Sequence, residues 1–141
     1  MFTVEKAIIL AAQYHEGQMH WDGEPYINHL LRVMLKMNTD DERIVAVLHD
    51  SFEDTKLTPS LLVARLCPSH LITAISVLTH KQDVSYEEYI DQIKDNPIAV
   101  TVKIADLIDN RDLDTLGHAI KPTDINRLVK YGRALETLRG L

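Results

Sequence analysis

The sequence predicts an all-α fold of seven or eight helices, and three observations carry that reading. Apolar residues recur at spacings of three and four along most of the chain, the period of a helix with one buried face. Alternating apolar and polar runs, the mark of a half-buried strand, are almost absent. Helix-start pairs such as Thr39 with Glu42 and Ser85 with Glu88 punctuate the chain.

In order, Thr3 caps a first helix running to about residue 16, with Val4, Ala7, Ile8, Ala11 and Ala12 as its apolar stripe. Residues 17–24 form a loop. Pro25 suits a first helical turn and opens a helix over residues 26–37 that buries Ile27, Leu30, Leu31, Val33 and Met34. His29 lies in its middle. The Thr39–Glu42 capping box starts a third helix, which ends in the stretch 45–55. Thr58-Pro59 starts a short helix to about residue 66, and Ser69 caps another to about 78. Ser85 and Glu88 box a helix to about 94, and Asn96-Pro97 opens one to about 109. Residues 112–121 read as irregular or a short turn. Thr123 begins a last amphipathic helix to about 138, burying Ile125, Leu128, Val129, Leu135 and Leu138. No linker divides the chain, so residues 1–141 are expected to form one domain.

A chain of 141 residues can bury a core without staples, and 45% apolar with 26% charged residues describes an ordinary globule. The single cysteine, Cys67, excludes an internal disulfide, suits a reducing compartment and reads as a small core hydrophobe. The start lacks the basic and long apolar regions of a signal peptide, and no stretch is long enough to span a membrane, so a cytoplasmic protein is expected. Net charge is −6 with no basic block, which gives nucleic-acid binding no support. An acidic protein can still hold an anionic substrate if a divalent cation supplies local positive charge. Nothing in the sequence signals an oligomeric state.

The chemistry gathers where the apolar run Val45-Ala46-Val47-Leu48 meets His49, Asp50, Glu53 and Asp54. Such groups at a buried helix end must be paired, neutralised or bound to a cation. His49 and Glu53 share a helical face while Asp50 points about 100° away, so one ion takes both His49 and Asp50 only where the helix ends. His29 sits in an otherwise apolar helix and, alone, reads more often as a satisfied core histidine than as a ligand. Asp106 sits in the apolar run 102–108, a costly place for a carboxylate, with Asn110 one turn later on the same face. Together His29, His49, Asp50 and Asp106 make a two-imidazole, two-carboxylate set that suits Mn2+, Fe2+ or Zn2+ better than Ca2+ or Mg2+. A water on such an ion would be acidified, with Glu53 and Asp54 placed to orient it and move its protons.

Ordered as His, His-Asp and Asp, these residues resemble the HD-domain metal-dependent phosphohydrolases, and more closely the hydrolase domain of RelA/SpoT-type enzymes and its small stand-alone relatives. The resemblance rests on His15-Glu16-Gly17-Gln18, on Gly23-Glu24-Pro25-Tyr26-Ile27-Asn28-His29, on Leu48-His49-Asp50 leading into Glu53-Asp54-Thr55, and on Lys103-Ile104-Ala105-Asp106 followed by Asn110. It spans roughly residues 3–115. It implies an HD-domain helical bundle that removes pyrophosphate from the 3′ position of ppGpp, with Mn2+ as usual metal. By position it makes His29, His49, Asp50 and Asp106 the ligands, Glu53 and Asp54 the water-activating pair, and Asn110 a nucleoside contact. No synthetase domain is expected here.

The sequence departs from that pattern at three places, one of them the segment after Asn110, which is shorter or differently spaced, with Arg111 directly following. Where the family carries a base-stacking arginine this chain has His20, leaving His20 and Trp21 to stack on a base. A threonine-lysine pair is common where Thr79-His80-Lys81 stands. Tyr26 reads either as a substrate contact or as a packing staple, and His15 and His20 either as site residues or as solvated loop groups. Lys56, Lys81 and Lys103 read as surface residues, with Lys103 also able to face a phosphate. Two other functions keep the same residues: a phosphohydrolase of another nucleotide, such as a deoxynucleotide, nucleoside monophosphate or NADPH, and a non-catalytic nucleotide binder.

Overall fold

The computed structural model describes residues 1–112 and 119–140, and every regular element among them is a helix. The elements are α1 (Val4–Tyr14), α2 (Tyr26–Leu35), α3 (Asp40–Leu48), α4 (Ser51–Asp54), α5 (Pro59–Ala64), α6 (Ser69–Val77), α7 (Tyr86–Ile93), α8 (Pro97–Asn110) and α9 (Pro122–Arg139). Because α4 is a single turn that continues α3 after a two-residue break, the bundle has eight helices when the pair is taken as one. That agrees with the all-α expectation. The expected irregular segment at 112–121 lies largely outside the described residues.

Local caps account for most helix starts. The side chains of Thr3, Thr58, Ser85 and Asn96 each accept the backbone N–H three residues on, and Thr39 and Glu42 form a complete capping box. Ser69 does not act as the cap expected of it, and α2 and α4 likewise start without a side-chain cap. Pro68 takes the cap position in an extended conformation (φ −57°, ψ 140°), so Ser69 is already the first helical residue.

Helix α3 is the hub. Val45, Ala46, Val47 and Leu48 are all shielded from solvent, because α1, α2, α6 and α8 cover the helix on different sides. An all-round apolar run thus becomes the central helix, and whatever follows Leu48 emerges at the middle of the bundle. Cys67 is buried in the core, and burial pushes its thiol up to about 11, which suits packing rather than reaction. No described helix is long and apolar enough to cross a membrane.

Helix α9 departs from the expected stripe. Leu135 and Leu138 are buried as expected and Leu128 is half-buried, but Ile125 and Val129 are 52% and 49% exposed. The inward face of its first half is instead taken by Asp124, Arg127 and Tyr131, with the Arg127 guanidinium 4.8 Å above the Trp21 ring. The Arg127 contact ties this face of the helix to the 15–25 loop.

The 15–25 loop is also more ordered than solvated loop residues would be. Met19 and Pro25 form an isolated bridge, and Gly17 and Gly23 supply the two positive-φ turns (84° and 83°) that fold the loop back. As a result His15 and His20 are both buried, which corrects the reading of them as solvated groups.

Candidate functional site

Helix α3 stops at Leu48, and Asp50 (φ −98°, ψ 0°) turns the chain before α4 begins. That pivot lets two consecutive side chains point at one spot, the condition the sequence imposed on a shared ion. His29 reaches it from α2 and Asp106 from α8. One ligand atom from each of His29, His49, Asp50 and Asp106 lies within 4.8 Å of the others. The Nε2 atoms of His29 and His49 lie 3.0 and 3.2 Å from Asp106 Oδ1, and His49 Nε2 lies 3.2 Å from Asp50 Oδ2.

Both imidazoles are presented as ligands. His49 Nδ1–H donates to the Ala46 carbonyl at 2.6 Å, and His29 Nδ1–H donates to Asp109 Oδ2 at 2.6 Å. Each Nε2 therefore faces the shared point, as metal-binding histidines require. Asp109 is in turn gripped by Arg32, with Nε and one terminal nitrogen at 2.8 and 3.0 Å. Neither Asp109 nor Arg32 was singled out in the sequence. The available signal was spacing: Arg32 follows His29, and Asp109 follows Asp106, by three residues on facing helices.

Electrostatics fit a cation. Burial alone would lower the His29 and His49 pKa values, but the facing carboxylates of Asp106, Asp109 and Asp50 outweigh it and raise both. Burial would raise Asp50 and Asp106, yet His49 holds Asp50 at about 2, and Lys103 and His49 hold Asp106 well below the usual carboxylate range. The carboxylates stay charged, and the protons on the imidazoles stand where a divalent ion would replace them.

Around this centre lies a cleft of about 230 Å3 lined by, among others, Tyr26, Asp50, Glu53, Asp54, Lys103 and Asp106. Glu53 accepts the His80 backbone N–H at 2.6 Å, which fixes its carboxylate at the cleft edge. Burial, then Asp50 and Glu53, push Asp54 up to about 6. Tyr26 stacks on His15 at 5.3 Å and donates its hydroxyl to Asp50, so it is tied to a candidate ligand rather than serving as a packing staple. Lys103 is not a surface residue: its Nζ donates to Asp106 Oδ2 at 2.9 Å and lies 5.2 Å from the Tyr89 ring centre. His15 Nδ1–H donates to Gln18, whose amide donates to the Asp54 carbonyl, bolting the 15–18 segment to α4.

Three expected substrate contacts are engaged inside the protein. His20 lies flat on His29 at 4.7 Å, and Trp21 has its face against Arg127. Both donate to Asn110 Oδ1, at 3.1 and 3.4 Å, while Asn110 Nδ2 donates to Asp106 at 3.2 Å. Asn110 lines the cleft, and His20 and Trp21 are held beside it through Asn110. Tyr86, Tyr89, Lys130 and Tyr131, which the sequence did not single out, also line the cleft, with His80 stacked on Tyr89 at 4.7 Å.

No family model matches the chain. A guanosine-3′,5′-bis(diphosphate) 3′-pyrophosphohydrolase of Aquifex aeolicus is 32% identical over 120 residues, 76% of this chain and 17% of that protein. A GTP pyrophosphokinase of Myxococcus xanthus is 29% identical over 132 residues, 82% of this chain and 17% of that one. The chain thus spans about a sixth of the length of these relatives. A solved structure described as a metazoan ortholog of SpoT that hydrolyzes ppGpp superposes with a TM-score of 0.79 at 21% identity, over 97% of this chain and 85% of that one. The helical bundle and its converging His, His-Asp and Asp define an HD-domain protein. With the relatives it matches, the chain belongs to the RelA/SpoT-type branch of that family.

Proposed function

We propose that the chain hydrolyses guanosine 3′,5′-bis(diphosphate), ppGpp, releasing the 3′ diphosphate as pyrophosphate. The observation that carries this is the convergence of His29, His49, Asp50 and Asp106 beside Glu53 and Asp54 in one cleft. The names of the relatives supply the substrate. The mixed imidazole-carboxylate set suits Mn2+, Fe2+ or Zn2+, and among these the family resemblance points to Mn2+. A divalent cation there supplies Lewis acidity, acidifying water and offsetting phosphate charge.

The chain's own groups do the rest. Glu53 and Asp54 accept the proton of the attacking water. The water oxygen bonds to the phosphorus on the 3′ oxygen and the bond between them breaks. The 3′ oxygen then takes up a proton, and pyrophosphate and guanosine 5′-diphosphate leave. Tyr26 holds Asp50 in place, Lys103 balances the charge of Asp106, and Asn110 links Asp106 to the His20–Trp21 loop. A small nucleotide substrate and a lone buried cysteine suit the cytoplasm.

The test is incubation of purified protein with Mn2+ and ppGpp. Guanosine 5′-diphosphate and pyrophosphate are expected, and none above a chelated control rejects the reading. One observation favours a second reading, hydrolysis of another nucleotide: His20 is stacked on His29 and Trp21 lies against Arg127, so neither ring stands free for a base. Orthophosphate released from a deoxynucleotide or NADPH, without turnover of ppGpp, would decide for it.

A further inference from the structure

A second concavity, larger than the metal cleft, lies beside it. A groove of about 390 Å3 runs between α7 and α9, and it shares two residues, Tyr86 and Lys130, with the cleft of about 230 Å3. Sites that enclose a nucleotide-sized ligand generally measure roughly 300–1,000 Å3, so the cleft alone is too small and cleft plus groove is not. The two are steps of one wall. From Asp106 it passes through Lys103, set 5.2 Å from the Tyr89 ring centre, to Tyr86 and then to Lys130, 4.1 Å from the Tyr86 ring centre.

The cations along this wall differ in how far they are committed. Lys103 is spent on Asp106, and Lys94 on Asp91 at 2.8 Å. Lys130 and Arg133 have no acidic partner within ion-pair distance among the described residues, and the remaining acid of the groove is Glu87 in the first turn of α7. In a chain of net charge −6, two cations without an ion-pair partner beside one cavity form a local positive region. Tyr86 adds a second sign of an absent ligand: its hydroxyl is shielded from solvent yet has no hydrogen-bond partner.

We propose that the α7–α9 groove is the second half of the substrate site. Lys130 and Arg133 hold the anionic group remote from the bond that breaks, Tyr86 donates to it, and the nucleoside bridges the two cavities. This rests on the substrate carrying two separate phosphate groups, as in the proposed function. An arginine suits the role because its guanidinium matches a phosphate in two parallel hydrogen bonds. Ile90 and Ala134, both buried, give the groove an apolar floor.

The test is steady-state hydrolysis of ppGpp by the Mn2+-loaded full chain carrying R133E or, to block the groove without altering charge, T137W. Arg133 is exposed and Thr137 half-buried, and circular dichroism checks the fold of each variant. The expected result is a KM raised about tenfold with kcat within twofold, and inhibition by pyrophosphate, which needs only the metal end, unchanged. A KM change below threefold in both variants overturns the proposal. If the wild type does not turn over ppGpp, the functional reading fails by itself. The groove is then decided by calorimetric binding of guanosine 5′-diphosphate to metal-free protein. Binding weakened about tenfold by R133E upholds it; no binding, or equal binding, overturns it.

Discussion

His29 and Asp109, eighty positions apart in sequence, meet at 2.6 Å through Nδ1 and Oδ2, while the other ring nitrogen of His29 faces Asp106 at 3.0 Å. One carboxylate orients the imidazole and another shares its ligand point. Arg32 clamps the orienting carboxylate, so the geometry of a candidate ligand is set from behind.

Substituting Asp109→Asn keeps the shape and removes the charge that holds the ring. Metal affinity is expected to fall by about 10–100-fold, with much of the turnover recovered at saturating Mn2+. Metal titration followed by activity measures both. Unchanged affinity would mean that Asp109 serves α8 packing alone.

Glu53→Gln preserves the acceptor for the His80 N–H and removes a base. Turnover is expected to drop by about 10²–10⁴-fold with the metal retained, whereas His49→Ala loses the metal itself. Metal content by elemental analysis, read beside kcat, separates the two.

Asp54 predicts a pH-dependent trade. Its folded pKa of about 6 exceeds its ordinary value of 3.8, so its contribution to stability is fully present below about pH 4 and is lost as pH rises to 6. Asp54→Asn removes the ionised group. Because Asp54 is about half exposed and screened, chelator-treated D54N should be more stable than wild type at pH 7 by only about 1 kcal/mol. At pH 4 the two should melt together. An equal Tm at both pH values would sink this prediction.

Two backbone positions predict opposite signs. Leu66 has φ 64° after α5 and is 74% exposed, so Leu66→Gly relieves left-handed strain at little loss of packing. A gain of the order of 0.5 kcal/mol is expected after the entropy of glycine is charged against it. Gly23 has φ 83°, and Gly23→Ala is expected to cost about 1 kcal/mol and to loosen the loop that carries His20. Urea melts at constant m-value measure each change.

What could be read from the sequence was whatever depends on residues a few positions apart. The caps at Thr3, Thr39, Thr58, Ser85 and Asn96 are contacts between a side chain and a backbone N–H three residues on, so these five helix starts are visible locally. The central place of α3 follows from its unbroken apolar run. The four candidate ligands were legible because a histidine or aspartate inside an apolar helix has few low-energy explanations, and three helices supplied them at once.

The sequence by itself therefore determined a bundle of helices, its hub, and four groups able to share a cation. Tertiary structure alone decided which partners those groups take: Asp109 behind His29, Lys103 on Asp106, and His20 with Trp21 on Asn110. It also turned Ile125 and Val129 outward on α9, with Arg127 against Trp21. The physical reason is range. Propensity and capping act within a turn or two, whereas the burial and pairing of a polar side chain depend on what a distant segment brings against it.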